Sequence, residues 1–536
     1  MKAPINEAAA SPLTISPEVA PEVLRREFGR NLRQISRQSA VFLAGTLFTM
    51  AVGYLVKIYV ARVLGAEQLG LYALGMTLVS LAQLIGTLGL QGTAARYISV
   101  YSATGKVDEL RGFLTRSVGI VVSLNLVMSA GLIFSGRWIA RNLYHAPVLA
   151  QYIPLFAVLA VLGALNVFYC QVLAGFKDVA KRTVITNFVG SPLVTALTVV
   201  LLALGTGMWG YLGAQIVSAV VVVTLLVVVA SKLTPKVARF SFSAVPPLDS
   251  EVKSFAAAVF GMNVLDFLVS QADKILLGLY LNPRVVGIYV LASTLSAFIP
   301  IILQSVNQIF APVIADLHAQ GQQDVLQKLF QTLTKWVFGL TLPLACVIIV
   351  FAPWLMRIFG PDFEVGWPVL VIGATGQLVN CGVGSVGYLL LMSGNQRQLI
   401  KVQFAMAGVS VLVNVTLIPA LGIVGAALAA ACVNVGGNLW SLYEVRKALK
   451  IYPYNRSYCA LLIPTVFAAA AVVLLRFWTA SITHPRLAIL LALALSYAVF
   501  GGLAAAYALD PDDRMIARSA WSQLRGGTQK KGVNAQ

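Results

Sequence analysis

Charge is what this chain has least of. Only 11% of its 536 residues are Asp, Glu, Lys or Arg, while 58% are hydrophobic and the mean hydropathy is +0.83. Soluble domains carry about 25% charged residues, so that class is excluded and an all-α polytopic membrane protein is what this composition builds. Histidine is scarce as well, and His145, His318 and His484 lie far apart. The five cysteines (Cys170, Cys346, Cys381, Cys432, Cys459) are scattered through apolar stretches with no CxxC. Such spacings predict neither a metal site nor a disulfide framework, and no cofactor is expected.

What charge there is has one dominant sign, with 39 Lys and Arg against 20 Asp and Glu. In a soluble domain a net charge of +19 would point to nucleic acid. Here the basic residues fall between apolar segments of membrane-spanning length, so they read as topology signals and no nucleic-acid partner is expected. A hydrocarbon core of roughly 30 Å needs about 20 apolar residues per helix. On that criterion the chain divides into about fourteen transmembrane helices, at 40–64, 70–95, 112–135, 150–174, 184–204, 209–231, 255–281, 286–312, 332–352, 366–393, 402–420, 423–443, 457–477 and 486–508. With the N-terminus in the cytoplasm, cytoplasmic segments take thirty of the Lys and Arg and outer segments take six. Lys57, Arg62 and Lys274 fall within spans. This bias predicts both termini inside.

An internal repeat orders these spans. Lys57 to Leu78, KIYVARVLGAEQLGLYALGMTL, returns in the second half of the chain at Lys274 to Leu295 as KILLGLYLNPRVVGIYVLASTL. One constant shift superposes Lys57 on Lys274, Gly70 on Gly287 and Tyr72 on Tyr289. It also aligns Leu204-Gly205 with Leu421-Gly422, and LAGFKD from Leu173 resembles LMSGNQR. Six helices separate the copies, which gives them the same orientation: two parallel six-helix lobes. The expected organisation is a basic cytoplasmic extension (1–39), an N-lobe (40–231), a cytoplasmic linker (232–254), a C-lobe (255–450), helices 13 and 14 (451–508) and a cytoplasmic tail (509–536). Within the extension, Leu24, Phe28, Leu32 and Ile35 fall on one helical face among five arginines. That pattern suits either an amphipathic helix on an anionic leaflet or an unstructured leader that fixes orientation.

Paired lobes imply a cleft at the membrane centre, where transported substrates sit. Helix 7 carries a polar face of Asn263, Asp266, Ser270 and Asp273. Helix 2 has Gln83 among other polar residues, helix 8 has Gln304 and Asn307, and helix 10 has Gln377 and Asn380. These uncharged residues can equally serve interhelical hydrogen bonding. Charges at bilayer depth cost about 3 kcal/mol even on translocon scales, so Lys57, Lys274, Arg62, Asp266 and Asp273 are the stronger candidates. Lys57 and Lys274 lie roughly 8 to 9 Å outward of their helix midpoints at 1.5 Å per residue. A lysine there either lines the cleft or snorkels to the outer interface; the matched positions favour the cleft. Asp273 either neutralises nearby cations or couples transport to an ion.

Ala61 to Ser99 contains Leu64-Gly65, Gly70-x-Tyr72 and Gly89-Leu90 followed by Arg96. This stretch resembles the oligosaccharide (polysaccharide repeat-unit) flippases of the MATE-like superfamily. Asp273-Lys274-Ile275-Leu276-Leu277-Gly278 is similar to the acidic-basic couple and apolar run that such proteins show in helix 7. The resemblance covers residues 40 to about 450. It implies a twelve- to fourteen-helix transporter of the bacterial cytoplasmic membrane, with a cationic cleft, that moves undecaprenyl-diphosphate-linked oligosaccharide outward. Its implied partners are that lipid-linked substrate, membrane lipids and polysaccharide polymerase or assembly proteins. Sodium or proton coupling stays open, as does the sugar.

A peptidoglycan lipid-precursor flippase shares this chemistry and is the nearer alternative. A multidrug exporter of the same fold needs carboxylates in its cleft, yet Glu67, Asp108, Glu109 and Asp178 are all assigned to loops and the first six spans have none. An enzyme acting on the same sugars needs catalytic groups on a sizeable outer loop. The longest outer loops, 136–149 and 353–365, are short, so no catalytic activity is expected.

Overall fold

The computed structural model describes residues 20–234, 248–478 and 485–507. The expected linker therefore falls mostly outside the described residues, and the tail 509–536 wholly so. The described elements are helical, with no β-strand among them. In chain order they begin with α1 (Ala20–Thr87), α2 (Leu90–Thr104), α3 (Val107–Trp138), α4 (Leu149–Gly175), α5 (Val179–Thr183), α6 (Ser191–Ala203) and α7 (Gly207–Leu233). The second half holds α8 (Ser250–Tyr280), α9 (Pro283–Ser296), α10 (Ile301–Ala319), α11 (Gln323–Val350), α12 (Ala352–Arg357), α13 (Trp367–Val383), α14 (Val386–Met392) and α15 (Gln396–Leu449). The chain closes with α16 (Arg456–Ala460), α17 (Leu462–Trp478) and α18 (Pro485–Tyr507).

Ten of the described helices are long and apolar enough to cross a membrane, or twelve if two bent pairs each count as one span. Fourteen is reached only by also dividing α1 at Gly65 and α15 at Gly422, where the backbone is non-helical. The expected basic extension is helical from Ala20 and runs without a break into the first span, up to Gly65. Two expected spans are not single helices. The one at 286–312 bends by 53° between α9 and α10, and that at 366–393 bends by 45° between α13 and α14. Pro300 stands immediately before α10 and lacks the N–H that would continue a helix. Gly384 adopts φ 79 between α13 and α14, where a Cβ would lie 2.4 Å from Thr334 Oγ1.

The internal repeat is visible in the backbone breaks. Gly205 and Gly422 have φ of 77 and 60, and Lys177 and Gly394 have φ of 59 and 78. Gly65 ends the first arm of α1 with φ 76 and ψ 176. In the second copy Leu281 and Asn282 do the same work, and the Asn282 side chain accepts from the Val285 N–H at 3.1 Å. One copy turns with a glycine's permissive backbone; the other uses a side-chain cap.

The two copies meet through those same turns. A Cβ on Gly70 would lie 1.6 Å from the Pro283 carbonyl oxygen, and one on Gly287 would lie 2.0 Å from the Ala66 carbonyl oxygen. Ala66 and Pro283 are themselves matched by the repeat, so the contact is reciprocal, as at a two-fold interface. Backbones this close require glycine, the small-residue packing that membrane helices use in place of a hydrophobic driving force. One continuous apolar core, with Leu74, Phe156, Tyr289 and Leu370 among its buried members, surrounds this contact.

Helices α17 and α18 lie outside the repeat and pack on each other and on α11. Tyr497 donates to the Leu340 carbonyl at 2.8 Å, and the Arg476 guanidinium sits 3.9 Å over the Trp354 ring. Lys335, near the start of the expected span 332–352, lies in α11 with 5% exposure, and its Nζ donates to Ser457. That bond ties the α15–α17 connection to α11.

Replacing Gly70 or Gly287 by valine must force the lobes apart, and overpacking of this kind costs about 1–3 kcal/mol or more. Thermal melting of the purified protein in detergent should show each variant clearly destabilised. Gly119, with nothing within 4 Å of its built Cβ, should accept alanine without loss. A melting point for Gly70→Val and Gly287→Val equal to that of the native chain would mean the axial contact is not close-packed.

Candidate functional site

The first arm of α1 faces the second copy. Tyr54 packs edge-on against Phe298 with centroids 4.0 Å apart and lies 6.5 Å from Phe359. Arg62, two turns further on, donates from Nε to the Ile358 carbonyl at 2.8 Å. Lys57 stands between them, one helical turn from Tyr54 and so on the same side of the helix. Its side chain is exposed, and among the described residues it forms no ion pair or hydrogen bond. Lys57 is thus a free cation beside the lobe interface, whereas Arg62 is a strap across that interface.

Lys274 is the matched cation. On α8 it follows Asp266 and Ser270 at steps of four, which places the three on one stripe of the helix; Asp266 and Ser270 are exposed. Lys274 Nζ donates to the Ser270 carbonyl at 3.1 Å and to Gln271 Oε1 at 2.9 Å. Both partners are neutral and belong to its own helix.

Asp273 does not pair with Lys274, contrary to what the adjacent acid and base suggest. Neighbours on a helix point about 100° apart, and Asp273 turns towards α9. Its Oδ2 accepts from the Tyr289 hydroxyl at 2.6 Å, and its Oδ1 accepts from the Lys274 backbone N–H at 2.8 Å. Tyr289 is 1% exposed, so this contact is internal to the second lobe. The repeat-related Tyr72 bonds in the same manner to Gln215, at 3.1 Å. The partnership was half legible, since both tyrosines stand in the repeated motif, but neither acceptor is marked by spacing.

The uncharged candidates divide. Gln83 packs its amide into the place a Cβ on Gly163 would take, 2.0 Å away, so it faces α4 within the first lobe. Asn380 donates to Gln377 on its own helix at 3.2 Å. Gln304 is exposed on α10. Asn263 is partly buried, and its Nδ2 is enclosed with no hydrogen-bond partner; Asn307 Oδ1 is in the same position. Enclosed polar atoms left unsatisfied cost about 1–3 kcal/mol each, and such orphans mark places where a water or ligand group belongs. Among the described residues no group of three or more His, Cys, Asp or Glu is placed to hold a metal ion.

Two matched cations, one exposed acid and two orphaned amides thus remain as candidates, while Asp273 and Gln83 are withdrawn into lobe interiors. Sequence reasoning gave no role to the Gly70–Pro283 contact, nor to a second cluster at the opposite end of the lobes. There a Cβ on Gly89 would lie 2.3 Å from the Ala256 carbonyl oxygen, and Arg96 approaches Glu251.

Comparison with known proteins gives this arrangement its context. The chain is 23% identical over 437 residues to the probable flippase AglR of Haloferax volcanii, covering 79% of this chain and 86% of that protein. It is 23% identical over 348 residues to the succinoglycan biosynthesis transport protein ExoT of Rhizobium meliloti, covering 63% and 65%. The solved lipid II flippase MurJ, in an inward closed conformation, superposes with a TM-score of 0.68 over 87% of this chain and 98% of that one; at 12% identity the likeness is one of fold. Residues 258–393 match the MatE family. Residues 35–318, more than half of the chain, match the family described as polysaccharide biosynthesis protein, and the chain belongs to that family.

Proposed function

We propose that this protein is a flippase that moves undecaprenyl-diphosphate-linked oligosaccharide repeat units from the inner to the outer leaflet of a bacterial cytoplasmic membrane. It would do so by alternating access, as a step in exopolysaccharide, O-antigen or capsule assembly, and without catalysis. The observation that carries this reading is the matched pair Lys57 and Lys274. Each lies within a helix long and apolar enough to cross a membrane, at the matched position of its own lobe, and forms no ion pair among the described residues. An anionic head that leaves water needs such charges, and a diphosphate accepts hydrogen bonds from ammonium groups on both sides. The orphaned Asn263 and Asn307, with exposed Gln304, suit sugar hydroxyls. Asp266, exposed on the stripe of Lys274, is the acid available for sodium or proton coupling.

In this reading both termini lie in the cytoplasm, as the Lys and Arg bias supports, so that the Gly70 end of the lobes faces outward and the Gly89 end faces inward. Moving one negative charge outward is then favoured by roughly 2.3 kcal/mol per 100 mV of inside-negative potential. Substrate and membrane lipids are the partners in this scheme; polymerase or assembly proteins would receive the product. Export of cationic drugs fits less well, because the unpaired charge that the first arm of α1 carries within its span, Lys57, is positive.

Two measurements test the reading. In proteoliposomes holding labelled undecaprenyl-diphosphate oligosaccharide, the double variant Lys57→Ala with Lys274→Ala should lose about tenfold or more in transfer rate, since charge-assisted hydrogen bonds contribute roughly 1.5–3 kcal/mol each. Equal rates in native protein and a normally folded variant would assign the lysines to snorkelling. For orientation, a membrane-impermeant thiol reagent applied to intact cells should label Val365→Cys, at a 68% exposed position, and should spare Ser102→Cys. The reverse pattern would invert the topology.

A further inference from the structure

The two ends of the lobe interface are closed by different chemistry. At the Gly70 end, closure is backbone against backbone, reinforced by Arg62 on the Ile358 carbonyl and Tyr54 on Phe298. At the Gly89 end, α2 meets the first turns of α8 through a polar cluster. The Tyr97 hydroxyl donates to Glu251 Oε1 at 3.0 Å. Burial, then the bond to Glu251, raise the affinity of that phenol for its proton, which keeps it a donor. Arg96 Nη2 stops 3.9 Å short of the same oxygen, outside hydrogen-bond reach. Its guanidinium rests 4.5 Å over the Phe255 ring instead. Arg96 is therefore held in place by an aromatic face while its N–H groups make no hydrogen bond among the described residues.

Around this guanidinium lies an open cleft of about 440 Å³, lined by Arg96, Tyr97, Ser250, Glu251, Ser254 and Phe255. It sits between the lobes, and its two serine hydroxyls lie on the first turns of α8. Asp249, which precedes that helix, makes no side-chain cap bond, so the first-turn N–H groups of α8 have no capping oxygen from it. Lys253 adds a second exposed cation one turn in. The acids present, Glu251 and Asp249, are the internal competitors of any arriving anion. Glu251 competes poorly, since Tyr97 holds its oxygen away from Arg96 and its side chain is 77% exposed; exposed pairs of this kind contribute little to stability.

We infer that this cleft is an anion site for a phosphate or diphosphate group, in which the anion engages the Arg96 N–H groups, drives the Glu251 carboxylate off the Tyr97 hydroxyl and so loosens the lobes at this end. That the anion in the cell is the diphosphate of a lipid-linked glycan rests on the flippase reading; the site itself rests on the cleft. A diphosphate can engage a guanidinium through two parallel hydrogen bonds, which Glu251 does not reach. Displacement of Glu251 removes the polar tie at this end and leaves the packing around Gly89 and Gly92 and the contacts of Arg96 and Tyr97 with Phe255. The Gly70 contact then acts as the hinge. Headgroup capture and inward opening become one event, so an empty transporter stays closed.

The latch can be read by cross-linking. A Cβ on Gly92 would lie 3.9 Å from Val259 Cβ, and disulfide-bonded cysteines have Cβ atoms about 3.8 Å apart. The full chain carrying Gly92→Cys and Val259→Cys should therefore cross-link readily in nanodiscs under a mild oxidant, with the linked peptides scored by mass spectrometry. Millimolar inorganic pyrophosphate should slow cross-linking by about threefold or more, against chloride at matched ionic strength, and should have no effect in an Arg96→Gln background. Glu251→Gln should lower the pyrophosphate concentration needed by roughly threefold, the scale of one exposed charge pair. An unchanged rate with pyrophosphate, or the same slowing in Arg96→Gln, would overturn the site. If pyrophosphate acts through Arg96 while reconstituted protein moves no lipid-linked glycan, the anion site stands and the flippase reading falls. If the glycan moves and pyrophosphate leaves cross-linking unchanged, the flippase reading stands and the site falls.

Discussion

Two glycines at matched positions of the repeat set the geometry of this protein. Gly70 and Gly287 let the turns of the two lobes approach until each presses on the other's backbone, at Pro283 and Ala66. Nothing bulkier fits, and membrane helices gain no hydrophobic attraction from one another in lipid, so shape is what holds them. A contact this tight and this small has the properties of a pivot. It fixes the lobes at one end and leaves the other end to be closed by weaker, more polar contacts. The positions of Lys57, one helical arm before the pivot, and Lys274, one arm before its mirror, follow from the same repeat.

The charges obey the same economy of position. An ammonium at bilayer depth is costly unless something offsets it. Lys335 is settled by Ser457 in the second lobe, Arg62 by a carbonyl across the interface, and Asp273 by Tyr289. Lys57 lacks any such partner among the described residues, and Lys274 has only its own helix. With Lys335, Arg62 and Asp273 absorbed by packing, the cations left to neutral or no partners are the ones we propose as receivers of an anionic group. In the proposed scheme the orphaned amides of Asn263 and Asn307 add hydrogen bonding to charge.

Much of this was legible in the sequence, for identifiable reasons. The repeat could be read because turns are punctuated by glycine, and Gly205 with Gly422 stand where the backbone turns left-handed. The helical class followed from composition. Bends were harder: Pro300 is plain to see, but a proline marks a break or a kink with the same letter, and the expected span across it became two helices. Side-chain partners were beyond reach. Asp273 beside Lys274 suggests a couple that helical geometry separates, and Gln83 looked like a cleft residue until Gly163 on another helix took up its amide. Arg96 stood only at the edge of a motif, because its significance depends on Phe255 and Glu251, which the chain reaches only at the start of its second lobe.

The account turns on one idea, that the protein recognises its cargo by an anionic head set between two lysines. The most direct measurement is equilibrium binding to the protein in nanodiscs of two ligands that differ only there: the undecaprenyl-diphosphate-linked oligosaccharide, and the same glycan on neutral undecaprenol. The account predicts that the diphosphate binds at least about tenfold more tightly, as charge-assisted hydrogen bonds require. Equal affinity for the two would contradict it, and would place recognition in the sugar or the lipid tail.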